Sequence, residues 1–261
     1  MQVDALVLAG GLNSESLKVS SGCEKEALIT IGNRPMVEYV VNALKHTPEV
    51  CRIVVAGHRD DLDSIFGGDP DLILTEGGSN AITTLQRGLE SLNAKTIELN
   101  YPQKMVIVTT GDIPMITPEA IGDFLRLCKK RTGNIYYPIV TREISESKYP
   151  GVVRTYVRLR EGQFTGGNLI LVDPVSVSHC ADIAKKIVQR RKNPLALSKL
   201  LGWRFVLKFL FHTLTLEEVE EKVSRMLGVR GVAIISNYAE VGVDVDKPAD
   251  LQLVRRILEA F

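Results

Sequence analysis

The chain has 261 residues, of which 45% are hydrophobic and 24% are charged, and its formal net charge is +1. This length allows one domain with a large core, in which about three quarters of the surface of the unfolded chain is buried. The balanced charge excludes a global electrostatic field that would recruit nucleic acid, and the four cysteines form no C-x-x-C pair that would indicate a metal or redox site.

Apolar runs rich in Val, Ile and Leu alternate with segments of helical period. Strands are predicted at residues 5–8, 52–56, 72–75, 104–109, 135–138, 168–172 and 232–235. Helices are predicted at residues 35–46, 80–92, 118–130, 181–200, 216–227 and 248–261. Because most of the strands are apolar on both faces, the alternation predicts an α/β fold of three layers, a mostly parallel mixed sheet with helices on both sides.

No repeat or flexible linker divides the chain, so a single domain over residues 1–261 is predicted. Residues 175–230 are interpreted as a helical insertion that precedes the last strand. The apolar stretch 195–216 is interrupted by charged residues and does not predict a transmembrane helix. Because the N-terminus runs into an apolar strand without a basic leader, the predicted location is cytoplasmic.

The first predicted strand ends in two adjacent glycines, Gly10 and Gly11. A turn without side chains lets a ligand approach the backbone closely, and its N–H groups attract phosphate oxygens. Lys18 and Lys25 lie in the polar segment that follows, where they would neutralise phosphate charge. The alternatives are an ordinary turn and two solvated lysines.

Asp112 follows the apolar strand predicted at 104–109. Ligands of open parallel sheets collect at the carboxyl ends of the strands, so this carboxylate is expected beside the glycine turn. A hard oxygen ligand in that place suits Mg²⁺, which binds one or two carboxylates together with phosphate oxygens. The alternative is that Asp112 only caps a turn before Pro114.

Three motifs together resemble a known enzyme family: Leu8-Ala9-Gly10-Gly11, Gly32-x-x-Pro35 and Gly111-Asp112-Ile113-Pro114. They are similar to the NTP transferases, which include molybdenum-cofactor guanylyltransferases, the cytidylyltransferases of isoprenoid synthesis and sugar-phosphate nucleotidyltransferases. The resemblance covers the first half of the chain and extends to its last strand and helix, whereas residues 175–230 have no assigned counterpart.

The resemblance implies a Rossmann-like GT-A sheet and a nucleotide held by Leu8, Ala9, Gly10, Gly11 and Gly111. It also implies a Mg²⁺ cofactor on Asp112, which thereby becomes a catalytic residue. The implied reaction transfers a nucleoside monophosphate from an NTP to a small phosphorylated or otherwise anionic acceptor, with release of pyrophosphate. CTP or GTP is the favoured donor, and a homodimer is left open.

The sequence also departs from the family pattern. Asn13 replaces a glycine of the usual loop, and Glu26 occupies the place where the family has a lysine. Lys18 and Lys25 are the predicted catalytic replacements for that lysine. The departures leave open a second interpretation, a nucleotide-binding or regulatory protein that has lost catalysis.

Two later segments resemble further parts of the family's site. Gly77, Gly78 and Ser79 follow a predicted strand and resemble the segment that contacts the base and ribose in cytidylyltransferases, with a βα turn capped by Ser79 as the alternative. Asp244 and Asp246 resemble the acidic strand end that completes the metal site, so either is a predicted second ligand.

The predicted acceptor site is made of Arg154, Arg158 and Asn168. Guanidinium groups bind phosphate or carboxylate bidentately, and an asparagine at a strand start contacts the acceptor in sugar-nucleotide relatives. The alternative for the arginines is an exposed strand face.

A lipid-like acceptor or a membrane-surface role for the basic and aromatic residues of the insertion is the less favoured interpretation, behind a packed core with a solvated face. A GT-A glycosyltransferase is also less favoured, because the Asp244-x-Asp246 pattern occurs only near the C-terminus.

Overall fold

The structure, a computed structural model, describes residues 1–98, 104–152, 154–177, 180, 183 and 202–259. Element labels count the described elements only. The strands are β1 (Val3–Ala9), β2 (Thr30–Ile31), β3 (Arg34–Pro35), β4 (Val50–Gly57), β5 (Leu72–Glu76), β6 (Val106–Thr110), β7 (Ile135–Thr141), β8 (Val157–Leu159), β9 (Gly162–Gly166), β10 (Leu169–Val172) and β11 (Gly231–Ser236). The helices are α1 (Glu15–Ser21), α2 (Met36–Lys45), α3 (Arg59–Phe66), α4 (Ala81–Glu98), α5 (Pro118–Cys128), α6 (Arg142–Lys148), α7 (Trp203–Leu210), α8 (Leu216–Leu227) and α9 (Pro248–Leu258).

Nine of the described strands form one mixed sheet in the order β5-β4-β1-β6-β10-β7-β9-β8, with β11 also paired to β7. Strands β5, β4, β1 and β6 are mutually parallel, as are β7 and β11. Strand β10 runs antiparallel to both β6 and β7. The start of β10 therefore lies at the same edge as the ends of β1 and β6, and this arrangement positions the site described below.

Helices cover the sheet on both sides. On one side, Val3, Ala5 and Val7 of the central strand β1 pack in one core with residues of α2 and α5. On the other side, Leu6 packs in a separate core with Leu92 of α4. The sequence of β1 is apolar on both faces for this reason, and the predicted three-layer α/β fold is confirmed.

The predicted elements compare well with those of the structure. All seven predicted strands are present, and helix α8 has the predicted bounds. The capping box at Thr215 is formed: its hydroxyl accepts from the Glu218 N–H at 3.2 Å, and the Glu218 carboxylate accepts from the Thr215 N–H at 3.2 Å. Helix α4 continues beyond the predicted end at residue 92, to Glu98.

Helices α1, α3, α6 and α7 are not among the predicted helices. Helix α1 buries only Leu17, and α3 buries only Leu62 and Phe66, so neither shows the sustained apolar period that indicates a helix. The helix predicted at 181–200 and much of the proposed insertion lie outside the described residues. Within the described residues, no helix has the length and hydropathy that a membrane span requires.

Candidate active site

A cavity of about 570 Å³ opens at the carboxyl edge of the parallel strands. Its walls come from the segments that follow β1, β5 and β6, from the start of β10 and from the segment before α9. Its lining residues are Leu8, Gly10, Gly11, Leu12, Glu26, Ala27, Gly78, Ser79, Asn80, Ala81, Thr84, Thr110, Gly111, Asp112, Asn168, Asp244 and Asp246.

Most of the residues predicted for the nucleotide and the metal therefore meet at one cavity. The lining includes the predicted nucleotide residues Leu8, Gly10, Gly11, Gly78, Ser79 and Gly111 and the predicted metal ligands Asp112, Asp244 and Asp246. It also includes Asn168, which was predicted to contact the acceptor. Ala9 is buried in the core beneath them, and the Gly77 N–H donates to the Gly57 carbonyl oxygen at 2.7 Å. These two residues support the walls rather than line them.

The glycine turn after β1 lies against the short 3₁₀ helix Glu26–Leu28. The Glu26 N–H donates to the Gly11 carbonyl oxygen at 3.1 Å, and a Cβ on Gly11 would collide with the Glu26 carboxylate. A Cβ on Gly111 would lie 2.9 Å from the Cβ of Ala27. Both glycines are thus needed for the close approach of residues 26 and 27.

The second glycine segment leads into α4. The Gly78 N–H donates to the Thr84 hydroxyl at 2.9 Å, and a Cβ on Gly78 would lie 2.7 Å from the carbonyl carbon of Thr83. The Asn80 side-chain oxygen accepts from the N–H groups of Ile82 and Thr83, each at 3.1 Å. Asn80 therefore caps α4, and Ser79, the N-cap of the alternative interpretation, does not. The Ser79 hydroxyl instead accepts from Asn80 Nδ2 at 3.3 Å.

Asn168 reaches the cavity because β10 is antiparallel. Its carbonyl oxygen accepts from the Thr110 N–H at 3.4 Å and from the Thr109 hydroxyl at 3.2 Å. Its own N–H donates to the Val241 carbonyl oxygen at 2.8 Å. These bonds tie the end of β6 to the start of β10 and to the 3₁₀ helix Ala239–Gly242.

Asp112 stands at the end of β6 with a buried carboxylate oxygen. Its Oδ1 has no hydrogen-bond partner among the described residues. Burial is the main reason that the pKa of Asp112 rises to about 6. The charges of Asp244 and Asp246 contribute to the rise, and the nearby Thr110 hydroxyl opposes it.

Glu26 adds a fourth carboxylate to those of Asp112, Asp244 and Asp246. Burial, with smaller contributions from these three charges, raises the pKa of Glu26 to about 7. No Lys, Arg or His is among the described residues that line the cavity. The cavity is therefore strongly acidic, although the whole chain is nearly neutral.

The last wall of the cavity is fixed by Arg154. One guanidinium nitrogen, Nη1, donates to Asp244 Oδ1, and Nη2 donates to the Asp244 carbonyl oxygen at 3.0 Å. Nη2 also lies 3.8 Å from Asp250 Oδ1. The Val245 N–H donates to the Asp112 carbonyl oxygen at 3.0 Å, which joins this wall to the end of β6.

The structure does not bring the predicted basic residues to the cavity. Lys18 pairs with Glu24 at 2.6 Å on the surface, and Lys25 pairs with Asp61. Arg158 is exposed on β8, whereas Arg154 lies behind Asp244 rather than in the lining. The sequence patterns did not single out Asn80, Thr84 and Thr110. Asn80 follows Ser79 directly and Thr110 precedes Gly111-Asp112, whereas Thr84 lies inside α4 and has no signal in the sequence.

Among the described residues, no three His, Cys, Asp or Glu side chains stand close enough to form a metal site by themselves. A cation held by Asp112 would need further oxygen ligands from a bound molecule. Mg²⁺ often binds proteins in this manner, through one or two carboxylates together with phosphate oxygens.

Comparison with known proteins identifies the family. A model of the MobA-like NTP transferase domain matches residues 5–203, which is more than half of the chain. The chain belongs to this family. The match includes the glycine turn after β1, Gly77 to Ser79, Asp112 and Asn168, but Asp244 and Asp246 lie beyond it.

Solved structures support the assignment to the NTP transferase family. A hypothetical transferase from Thermus thermophilus is 37% identical, with a TM-score of 0.78 over 96% of this chain and 100% of that one. A search of curated proteins gave no match.

Two more distant structures show the same fold. A nucleotidyl transferase from Methanothermobacter thermautotrophicus is 15% identical, with a TM-score of 0.58 over 99% of this chain and 98% of that one. A CMP:2-keto-3-deoxy-manno-octonic acid synthetase solved with CTP is 15% identical, with a TM-score of 0.56 over 100% of this chain and 99% of that one.

Proposed function

We propose that this NTP transferase moves a nucleoside monophosphate from an NTP, CTP or GTP being favoured, to a small anionic acceptor. The observation that carries the proposal is that the glycine turn, Gly10 and Gly11, and Asp112 line the same cavity. The synthetase that shares the fold was solved with CTP, which supports a nucleotide as the ligand.

The backbone around the cavity suits a triphosphate. Gly10 and Gly11 add no side chain of their own to the turn, although the Glu26 carboxylate lies against Gly11. Helix α4 directs its N-terminus, with its partial positive charge, at the cavity. Asn80 caps α4 with its side-chain oxygen, and Gly78 and Ser79 precede it. We assign the phosphates to the first turn and the ribose and base to the second segment.

The donor set fits Mg²⁺. Asp112 Oδ1 is buried and has no hydrogen-bond partner in the part of the chain that the structure describes, and carboxylates are hard oxygen ligands. Asp112, with Asp244 or Asp246, would hold the ion, and the bound ion would neutralise charge that develops on the phosphates. Arg154 occupies one face of Asp244, so Asp244 would use its other carboxylate oxygen.

In the proposed reaction, an acceptor oxygen forms a bond to the α-phosphorus while the bond from that phosphorus to the pyrophosphate oxygen breaks. The chain's own contribution is to position the reactants and to exclude water, as is general in phosphoryl transfer. Asn168 lines the cavity and is the proposed acceptor contact. Arg154 can contact an acceptor only if it leaves Asp244. The catalytic roles of Lys18 and Lys25 remain predictions, and both would require their segment to rearrange.

Pyrophosphate release tests the proposal. The protein would be incubated with Mg²⁺, a small-molecule extract and CTP, GTP, UTP or ATP in turn, and pyrophosphate would be measured against an Asp112→Ala variant. Release that requires one nucleotide and Asp112 supports the proposal. Selective nucleotide binding, seen as a thermal shift, without any pyrophosphate would favour the regulatory interpretation instead.

A further inference from the structure

A short segment near the C-terminus, residues 239–245, joins several elements that meet at the cavity. Its Val241 carbonyl oxygen accepts from the Asn168 N–H at 2.8 Å, at the start of β10. Asp244 lines the cavity, and the N–H of the residue after it donates to the Asp112 carbonyl oxygen at 3.0 Å. A displacement of this segment would therefore move Asp244 and disturb the position of Asn168.

The segment fits tightly against the glycines at the end of β9. A Cβ on Gly242 would lie 3.3 Å from the Gly166 carbonyl oxygen, and a Cβ on Gly167 would lie 3.1 Å from the Val241 carbonyl oxygen. The segment thus cannot move toward β9 without a collision. A displacement away from β9 would stretch the hydrogen bond between Asn168 and Val241.

The segment contains a buried carboxylate, that of Glu240, whose side chain is 2% exposed. Lys148, the last residue of α6, donates from Nζ to Glu240 Oε2 at 2.8 Å, and this is the one ion pair that Glu240 makes with a described residue. Ala239 and Val243, which are near Glu240 in the chain, are buried in one apolar core with Tyr149. A carboxylate in such surroundings is strongly disfavoured without a cation. One lysine at the surface therefore compensates this charge.

The two partners of the pair differ in their access to water. The Lys148 side chain is 49% exposed, so its ammonium group can be hydrated in place if the pair is broken. The Glu240 carboxylate has no such alternative, because it can reach water only if its segment leaves the position against β9. Loss of the lysine should thus displace the segment, whereas loss of the glutamate charge should not.

We propose that Lys148 is a positioning residue for the proposed reaction. By neutralising Glu240 it holds residues 239–245 in place, and this keeps Asn168 and Asp244 in position beside the cavity. The inference rests on the proposed function, in which Asn168 is the acceptor contact. Lys148 does not itself line the cavity, and the glycine turn that is assigned to the phosphates belongs to other elements. The effect is therefore on saturation by the acceptor rather than on KM for the NTP.

Hydrogen exchange tests the positioning without turnover. The Asn168 N–H is bonded to the Val241 carbonyl oxygen, so its exchange rate reports whether the segment is in place. Lys148→Met keeps the length of the side chain but removes its charge, and exchange of this amide, followed by NMR, should become about tenfold faster. Lys148→Met combined with Glu240→Gln should restore the slow exchange, because the buried charge is gone. Glu240→Gln alone should also exchange slowly.

The kinetics of pyrophosphate release test the consequence for the site. The rate would be measured at serial dilutions of the small-molecule extract and, separately, at several concentrations of the NTP that gives the largest thermal shift. In Lys148→Met, the amount of extract that gives the half-maximal rate should rise about tenfold, whereas KM for the NTP should stay within about twofold. In the double variant, the amount of extract should return to within about twofold of that for the unmodified protein.

Lys45→Met is the matched control. It breaks the ion pair of Lys45 with Asp69, at 2.6 Å and outside the cavity, and should change neither the exchange of the Asn168 amide nor the saturation by extract. Thermal unfolding curves establish that each variant is folded. A less stable Lys148→Met with unchanged exchange and saturation would show that the pair is merely structural, and would overturn the inference. An equal defect in the double variant would also overturn it, because the buried charge would then not be the cause.

The outcomes separate this inference from the proposed function. Pyrophosphate release by the unmodified protein and by Lys148→Met, with equal saturation by the extract, overturns the role of Lys148 alone. No release from the unmodified protein with any NTP overturns the proposed function. The role of Lys148 in the reaction falls with it, even if the exchange of the Asn168 amide shows that Lys148 holds the segment.

Discussion

Arg154 clamps Asp244 through two different atoms, with Nη1 donating to the carboxylate and Nη2 to the carbonyl oxygen of the same residue. The Arg154 side chain is 11% exposed, and the Asp244 side chain is 23% exposed. The clamp fixes both the direction of the Asp244 side chain and the path of its backbone. The sequence motif that contains Asp244 thus depends on a residue 90 positions earlier in the chain.

Replacement of Arg154 should destabilise the protein. Arg154→Gln leaves the carboxylates of Asp244 and Asp250 partly buried without their cation, and the free energy of unfolding should fall by about 3 kcal/mol. Urea unfolding would measure this change. Arg158→Gln, an exposed change on β8, is the control for stability and should stay within about 0.5 kcal/mol of the unmodified protein. Equal effects of the two substitutions would show that the contacts of Arg154 with Asp244 and Asp250 do not stabilise the fold.

Replacement of Asp112 should abolish catalysis while the fold is kept. Asp112→Asn retains the size of the side chain but removes the charge that would hold the metal, so pyrophosphate release should fall by about 100-fold or more. Steady-state assays with the preferred NTP would show the loss. The control Asp60→Asn changes an exposed carboxylate of α3 and should have no effect. Full activity of Asp112→Asn would remove Asp112 from the mechanism.

The same substitution should stabilise the metal-free protein, and the gain should depend on pH. The folded-state pKa of Asp112 is raised from 3.8 to about 6, so its ionisation is harder in the folded chain than in the unfolded one. Its contribution to stability is therefore favourable below about pH 4 and is lost as the pH rises to about 6. At pH 7 the raised pKa of Asp112 lowers the free energy of unfolding by about 3 kcal/mol, compared with a carboxyl group whose pKa is the same in the folded and unfolded chain.

Unfolding in urea and EDTA at several pH values would measure this effect. The stability of Asp112→Asn should exceed that of the unmodified protein by an amount that grows between pH 4 and pH 7. Saturating Mg²⁺ with nucleotide should stabilise the unmodified protein but not the variant. A gap that is the same at every pH would show that ionisation of Asp112 is not its cause.

A methyl group on the first glycine turn should weaken nucleotide binding. In Gly11→Ala the new Cβ would displace the Glu26 carboxylate and narrow the turn, and nucleotide affinity should fall about tenfold. Calorimetric titration would measure the affinity. Gly11→Ala combined with Glu26→Ala should recover part of the loss, because the colliding group is gone.

Gly122→Ala is a matched control for the glycine substitution. Gly122 lies in α5, and its new Cβ would have only an ordinary contact, 3.9 Å from Glu49 Oε2. Alanine favours a helix over glycine by about 1 kcal/mol, so this variant should be as stable as the unmodified protein or more so, with unchanged affinity. An equal loss of affinity in both variants would point to a general effect of the added methyl group.

The sheet and most of the residues that line the cavity could be predicted from the sequence, because both follow from local patterns. An apolar run followed by glycine or aspartate predicts a strand and identifies the residue at its carboxyl end. Parallel strands place their carboxyl ends at one edge of the sheet. Leu8, Gly10 and Asp112 could therefore be expected in one place. Asn168 meets them because β10 is antiparallel to β6, a pairing that no local pattern indicates.

The charges around the cavity could not be predicted from spacing. Lys18 and Lys25 lie in the expected segment, but Glu24 and Asp61 pair with them and keep them out of the lining. Asp61 is on α3, 36 positions from Lys25, so this pair depends on the tertiary structure. Ion pairs between distant residues are decided by packing, which the periodicity of the sequence does not reveal.

The hydrogen bond from the Val245 N–H to the Asp112 carbonyl oxygen has a consequence for biosynthesis. Val245 emerges from the ribosome long after Asp112. The nascent polypeptide therefore cannot close this wall of the cavity until Val245 has been translated, and fragments that stop before residue 240 should fail to retain nucleotide on an affinity resin.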